Sequence, residues 1–391
     1  VTRRALFAAF DQFPSPKGAA VHILHSSTTL FAHAGGGVLF VLGGGELPPY
    51  QVEGDVEIVR FSVPIANLLT RAEAFSRMLT RVTDEHADSL TIAHVRDPWS
   101  AAGVLATAER RFPLVYEANS VPSIELPTAY PNLRPSTIDK IERLETACLL
   151  DADAVVAVSD VLRDHLIDRG VPADRITVIP NGAEPVADAD MPPRPPTAPD
   201  RYIVYVGALQ PWQGVDQLLR AMARLADLDD VVLVICSATR AKRARPLQRF
   251  ARHLGVDDRV QWQFGLRHAE IAAWLAHAEC SVAPLTDCPR NVRQGCCPLK
   301  VLESMAVATP VVASDLPVVR ELVTDGQHGR LVRPDRPAEL ARALRVILEY
   351  PDRSRRMGEV GRRHIADHLT WAHNRRTLED VYTHVPRAAT R

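Results

Sequence analysis

Short apolar runs rich in valine, isoleucine and leucine recur along this 391-residue chain, each followed by a stretch whose apolar positions repeat at helical spacing. In the first half they fall at 5–10, 38–42, 56–60, 90–95, 114–117, 154–158 and 176–179. In the second they fall at 202–206, 231–235, 259–263, 280–283, 310–313 and 329–332. The runs are continuous rather than alternating, which is how strands buried on both faces of a parallel sheet read. Their alternation with helices predicts an α/β protein whose ligands bind beyond the carboxyl ends of the strands. Between the halves, 185–199 carries six prolines in fifteen residues and reads as a stiff extended linker. Two doubly wound, Rossmann-like domains are therefore expected, 1–184 and 200–370.

Composition narrows the function. Apolar residues make up 46% of the chain and charged ones 24%, with a net charge of −1, which argues against a strongly electrostatic nucleic-acid binder. No apolar run approaches the roughly 18 residues of a membrane span, and the segment 5–10 is too short for a secretory core before Asp11, so a cytoplasmic protein is expected. The six cysteines form no CxxC pair and have no matched histidine spacing, which speaks for reduced thiols over zinc. Of the 46 basic residues only four are lysines, Lys17, Lys140, Lys242 and Lys300; such arginine bias points to a GC-rich genome in which a retained lysine serves its chemistry. The glycine triplets at 35–37 and 43–45 lack the GxGxxG spacing of a dinucleotide fold, so no nicotinamide or flavin is expected.

The segment from Arg290 to Ser314 carries the strongest chemical signal. A polar loop leads into a helix with Pro298 near its start, Pro310 stops the helix, and a buried strand follows. A helix start offers unpaired N–H groups and a positive dipole end, an anion site that needs no metal. Lys300 in the first turn adds a point charge for phosphate, and Glu303 one turn on can accept from the vicinal hydroxyls of a ribose. The plainer readings are a surface lysine and a solvated helix-dipole partner, but the dipole disfavours a cation at a helix start, which suggests an anionic partner for Lys300.

Here the sequence resembles the retaining GT-B glycosyltransferases of family 4, whose motif has two glutamates separated by seven residues, then small residues and a Pro-Val-Val-Ala-Ser strand. Glu303-Ser-Met-Ala306 and Thr309-Pro-Val-Val-Ala-Ser314 match it, as do Ala152-Asp-Ala-Val-Val-Ala-Val-Ser159, Val178-Ile-Pro-Asn-Gly182 and Phe13-Pro-Ser-Pro-Lys-Gly-Ala-Ala-Val-His-Ile23. The resemblance spans about residues 7 to 383 and implies a GT-B fold, two domains facing across a cleft with a terminal helix, about 371–391, packed back onto the first. It also implies sugar transfer from a nucleoside-diphosphate sugar with retention at the anomeric carbon. The departures fall in the donor site. The first glutamate of the pair falls on Gly295, so the donor contact is expected from the backbone around Gly295, Cys296, Cys297 and Leu299. The family's Arg and Lys after the first strand of the second domain fall on Ala208 and Gln213 of Gly207-Ala-Leu-Gln-Pro-Trp-Gln-Gly214. The diphosphate then leans on Lys300, with Arg290 and Arg293 as mobile candidates, as in the family's Pro-Leu-Lys subgroup.

In the first domain, Gly18 lets the backbone approach a phosphate or sugar, with Lys17 beside it on the acceptor side. The family's histidine beside the transferred sugar falls on Asn119, an amide that hydrogen-bonds a hydroxyl but is no acid or base near pH 7. Glu117 is the nearest carboxylate, and Arg96 and Asp97 are rim candidates for the acceptor; the plainer reading of Glu117 is a surface charge at a strand end. The Asp-x-Asp strings at 151–153 and 188–190 do not follow strands, so no metal is expected. The basic stretch 240–252 reads as a solvated helix, with contact to an anionic membrane face as its sharper alternative. The expected protein is thus a metal-independent, cytoplasmic, bacterial glycosyltransferase, peripheral to the inner membrane face in that sharper reading. No cofactor beyond the nucleotide-sugar is expected, and the acceptor is sugar-like, lipid-linked or a small molecule. The alternatives are a catalytically weakened binder of nucleotide-sugars, which fits the missing Arg, Lys and Glu, and another nucleotide-sugar or phosphorylase-like enzyme on the same fold.

Overall fold

The computed structural model describes residues 4–15, 18–108 and 110–386, with only the backbone of His268. Its contacts divide the chain into two compact units, one running to residue 180 and resuming at 374, the other spanning 181–373. The first holds an eight-stranded sheet: β1 (Arg4–Gln12), β2 (Gly37–Leu42), β3 (Tyr50–Glu53), β4 (Val56–Phe61), β5 (Leu90–Val95), β6 (Leu114–Ala118), β7 (Ala154–Ala157) and β8 (Ile176–Val178). Their order is β3-β4-β2-β1-β5-β6-β7-β8, and only the β3–β4 pair is antiparallel. The second unit has six parallel strands, β9 (Arg201–Val206), β10 (Val231–Ser237), β11 (Val260–Phe264), β12 (Cys280–Ala283), β13 (Val311–Ser314) and β14 (Gly329–Val332), ordered β11-β10-β9-β12-β13-β14.

Both orders reverse direction once. In the first sheet the chain winds outward from β1 to β2 and β4, then returns to lay β5 on the other side of β1; in the second it does the same around β9 and β12. Helices from adjacent connections then lie on opposite faces and leave a crevice at the carboxyl ends of β1 and β5, and another at those of β9 and β12. The runs that end there are buried on both faces: Ala5 to Ala9 of β1 and Tyr202 to Val206 of β9 are all in the core. Each buried Val, Leu or Phe side chain contributes about 1.5–3 kcal/mol as an upper bound, so both crevices stand on rigid floors.

The strand missing from the sequence reading is β3. It is an exposed edge strand with polar Gln51 and Glu53, joined to β4 by a tight turn at Gly54, so it leaves no apolar run to find. The segment 185–199 is not a free spacer. It lies on the second unit, where Val186, Met191 and Ala198 pack against the cluster of Tyr202, Val204 and Trp274, and the Val186 N–H donates to the Ala306 carbonyl at 2.9 Å. The chain passes between units at 180/181 and 373/374, and the helix Trp371–His384 places Leu378 and Tyr382 in the core of the first unit. The stretch 240–252 forms a short turn and the helix Arg245–His253, with Leu247 and Phe250 against the second core and its six cations exposed. Among the described residues no helix is long and apolar enough to cross a membrane.

Candidate active site

At the crevice of the second sheet, β9 ends and Gly207 turns away with φ +145. A Cβ there would lie 2.9 Å from the Lys300 Nζ and 3.0 Å from the Tyr205 hydroxyl, so glycine is what leaves room for the lysine head. The loop closes through one helical turn, Pro211–Gln213, onto Gly214 with φ +68. A Cβ at Gly214 would sit 1.7 Å from the carbonyl oxygen of Pro284, which follows β12, so the loops after β9 and β12 touch only because Gly214 has no side chain.

The loop after β12 is stapled to the same turn by Asn291. This fully buried side chain donates from Nδ2 to the Trp212 carbonyl and to the Thr286 carbonyl, both at 2.9 Å. Its neighbour Arg290 lies over the Trp212 ring, 5.4 Å from the centroid. Arg293, offered as a second cation for phosphate, is exposed. Gly295 then takes φ +79, Cys296 and Cys297 are buried and form no disulfide, and Pro298 opens the helix Leu299–Ala306, whose start no side chain caps. The sequence leads this uncapped start, with its dipole, toward the switch point between β9 and β12.

Lys300 projects from the first turn of that helix. Its Nζ donates to Gln213 Oε1 at 2.5 Å and to the Tyr205 hydroxyl at 3.1 Å, and it lies 4.2 Å from the Tyr205 ring centroid. Tyr205 in turn donates to the Ala208 carbonyl at 2.5 Å. Burial pulls the lysine down to about 7, the positive charge of Arg290 adds to this, and Cys296 and Glu303 oppose it. Gln213, which stands where the resemblance puts a lysine, holds Lys300 through its amide oxygen instead. Glu303 is half-buried one turn further along the helix.

In the first unit the sequence-derived candidates sit at the other switch point, but deeper than expected. Glu117 is 4% exposed at the end of β6. Its carboxylate accepts from Arg96 Nε at 3.2 Å, His94 Nε2 at 3.0 Å, Ser26 Oγ at 3.1 Å and the Asn119 amide, with His22 Nδ1 at 3.4 Å. Although burial alone would raise it, the Arg96 charge and the histidine hydrogen bonds hold this carboxyl well below the usual range. It is not a surface charge: the buried carboxylate is ringed by hydrogen-bond donors from four residues. Arg96 is also buried; it donates a second bond, 3.2 Å, to the carbonyl of Ala19 and so ties β5 to the first turn of the helix Gly18–Ala34. His94 Nδ1 meets the Tyr382 hydroxyl at 2.7 Å, which attaches the terminal helix to the same cluster. Gly18 begins its helix exposed, and half-buried Asn119 keeps its amide nitrogen on Glu117. Lys17 lies outside the described residues.

Asp97 is half-buried, and both of its carboxylate oxygens accept hydrogen bonds within the first unit. It caps the helix Pro98–Leu105 by accepting from the Ser100 N–H at 2.8 Å, and its second oxygen takes the Phe10 N–H at 2.7 Å, although burial lifts the carboxyl to about 6. Asp97→Ala removes the cap and takes the partner from the half-buried Phe10 N–H, so it should cost about 1–3 kcal/mol in denaturant unfolding. Nucleotide affinity should stay within twofold. Of the Asp-x-Asp residues, Asp153 accepts from the Leu114 N–H and Asp188 from Arg362, and among the described residues no group of three or more His, Cys, Asp or Glu is placed to hold a metal.

The fold recurs in solved proteins. Sucrose-phosphate synthase from Thermosynechococcus elongatus superposes with a TM-score of 0.78 at 19% identity, covering 97% of this chain and 98% of that one. Anabaena HepE in complex with UDP-glucose gives 0.73 at 17%, covering 96% and 99%. These likenesses define the GT-B architecture. In sequence, residues 16–186 match the family described as Glycosyltransferase Family 4, and 188–364 match Glycosyl transferases group 1. The alpha-maltose-1-phosphate synthase of Mycolicibacterium smegmatis is 30% identical over 335 residues, 77% of this chain and 80% of that protein. The chain belongs to glycosyltransferase family 4. It also matches the MMP alpha-(1->4)-mannosyltransferase of Mycolicibacterium hassiacum at 34% identity over 209 residues, 53% of this chain; that match spans 48% of the relative's length.

Proposed function

We propose that the protein transfers a sugar from a nucleoside-diphosphate sugar to a hydroxyl of a sugar-like or polyol acceptor, with retention at the anomeric carbon and without a metal ion. The observation that carries this reading is the convergence of Lys300, Gly207 and the uncapped helix start at the switch point of the second sheet. Its chemistry suits a diphosphate leaving group: the helix dipole and N–H groups take the phosphate oxygens, and the Lys300 ammonium neutralises charge as the glycosidic bond breaks. Glu303, half-buried on the same helix, would accept from a ribose diol in this reading. The nucleotide-sugar donor is supported by the UDP-glucose complex of HepE, and a sugar-like or polyol acceptor by relatives named as mannosyl and D-inositol 3-phosphate glycosyltransferases.

The first test is a panel of nucleoside-diphosphate sugars against sugar, polyol and lipid-linked acceptors. Products are read by mass spectrometry and anomeric configuration by NMR, with and without EDTA. Transfer with retention that survives EDTA is expected; an inverted product, or activity lost to EDTA and restored by Mg²⁺, would overturn the corresponding part. The neutral Gln213 and Ala208 give the binder reading its own observation, and donors that bind in calorimetry without turnover would favour it. If Glu303 holds the ribose, Glu303→Ala should weaken nucleotide binding by about 1.5–3 kcal/mol with the fold intact. Equal binding of the ribo- and 2′,3′-dideoxy nucleotides by the unmodified protein would count against that role.

A further inference from the structure

The chain enters the second unit at Asn181, and this residue is bonded twice to the loop that carries the helix start. Its backbone N–H lies 3.3 Å from the Cys297 sulfur, and its side-chain Nδ2 donates to the Cys297 carbonyl at 2.7 Å. The side chain is 4% exposed, and its Oδ1 is buried with no hydrogen-bond partner among the described residues. Only one amide orientation fits, since the flipped one would set oxygen against the Cys297 oxygen. Cys297 immediately precedes the N-cap Pro298, so the carbonyl that Asn181 grips belongs to the peptide that leads into the cap of the helix Leu299–Ala306.

Asn181 is itself held from behind. The Ala183 N–H donates to the Leu369 carbonyl at 2.9 Å, and a Cβ at Gly182 would fall 2.4 Å from the Trp371 nitrogen, so 182–183 lies flush against 369–371. The amide therefore connects a backbone with little freedom to a loop that would otherwise have more. Gly295, φ +79, lies two residues upstream of Cys297, and the wide turn Arg290–Gln294 precedes it.

We propose that Asn181 is a positioning residue for the phosphate cradle: by fixing the Cys297 carbonyl it sets the direction in which the N–H groups at the start of the Leu299–Ala306 helix, and Lys300 with them, present themselves to the donor. It rests on the donor site assigned above to the second unit. A group that only filled space would tolerate an isosteric replacement, whereas one that donates to a carbonyl does not. Asn181→Asp keeps the shape and loses the N–H; Asn181→Ala loses both.

The test uses the whole chain with both variants, at temperatures where thermal unfolding shows each to be folded. Calorimetry with UDP and uridine separates the phosphate cradle from the nucleoside site, and hydrogen exchange of the amides at 295–301 reads the loop without any ligand. Both variants should bind UDP at least tenfold more weakly, leave uridine affinity within threefold and speed exchange at 295–301. Unchanged exchange in Asn181→Ala, or equal losses for UDP and uridine, would overturn the proposal. Should Asn181→Asp not fold, Asn181→Ala decides alone through the same two readouts. Exchange that quickens as expected in a protein that binds neither UDP nor any other nucleoside diphosphate would instead indict the donor-site reading.

Discussion

Lys300→Ala should lower affinity for a nucleoside diphosphate by about 1.5–3 kcal/mol, roughly tenfold to a hundredfold, and leave the bare nucleoside nearly unaffected. In the proposed diphosphate site, where the resemblance's two cations fall on Ala208 and Gln213, this ammonium would carry an outsized share of the charge. Its partners are neutral: the Gln213 amide oxygen at 2.5 Å and the Tyr205 hydroxyl at 3.1 Å orient it without neutralising it. Transfer should fall further, on the order of a hundredfold in kcat, because charge on the leaving diphosphate grows towards the transition state and preorganised cations act most strongly there. Gly207→Ala supplies an independent check, since its Cβ would press on the Lys300 Nζ from 2.9 Å and the position has φ +145. It should reproduce part of the Lys300→Ala defect while the lysine itself is intact. Calorimetry and steady-state kinetics on the two variants measure this, and equal weakening for nucleoside and diphosphate would rule out a phosphate role.

The architecture was legible in the chain because strands buried on both faces must be apolar throughout, which leaves continuous runs ending in turn residues. Among the described residues thirteen of the fourteen strands announced themselves so, and the exposed edge strand β3 could not. Lys300 and Glu303 stood out as candidates because they belong to one local loop-helix-strand unit. Their neighbours did not: Tyr205 reads as one more apolar residue of β9, and Gln213 as a substitution for a lysine, until the order β9-β12 brings their loops together. The surroundings of the charged residues at strand ends were hidden for the same reason. Arg96, Asp97 and Glu117 follow or end strands as site residues do, yet the helix Gly18–Ala34 contributes His22 and Ser26, and the terminal helix contributes Tyr382, to the polar cluster around Glu117. Burial of that cluster depends on residues nearly three hundred positions apart, as His94 and Tyr382 are, and no local pattern reports it. Asn181 belonged to a motif whose meaning lay in a contact to Cys297, 116 residues away.

Affinity for a nucleoside diphosphate should fall as pH rises above about 7, and the unliganded protein should grow more stable over the same range. Both follow from the lysine that burial holds at about 7. In the unfolded chain a lysine keeps its proton to roughly pH 10.4. Between these values the unfolded state binds more protons than the folded one, so stability rises with pH from about 7 and levels off near 10. A bound diphosphate reverses the preference by pairing with the ammonium, so binding above pH 7 must draw a proton from solvent. Affinity should then drop by up to about tenfold per pH unit until the liganded lysine itself titrates. Calorimetry at pH 8.5 in two buffers of different ionisation enthalpy should show uptake of close to one proton, under conditions where the diphosphate is already fully ionised. Lys300→Met should abolish the uptake and flatten the stability curve between pH 7 and 10. Proton uptake that persists in Lys300→Met would assign the titration to another group, and a pH-independent affinity in the unmodified protein would show that Lys300 stays charged on the Tyr205 ring before the donor arrives.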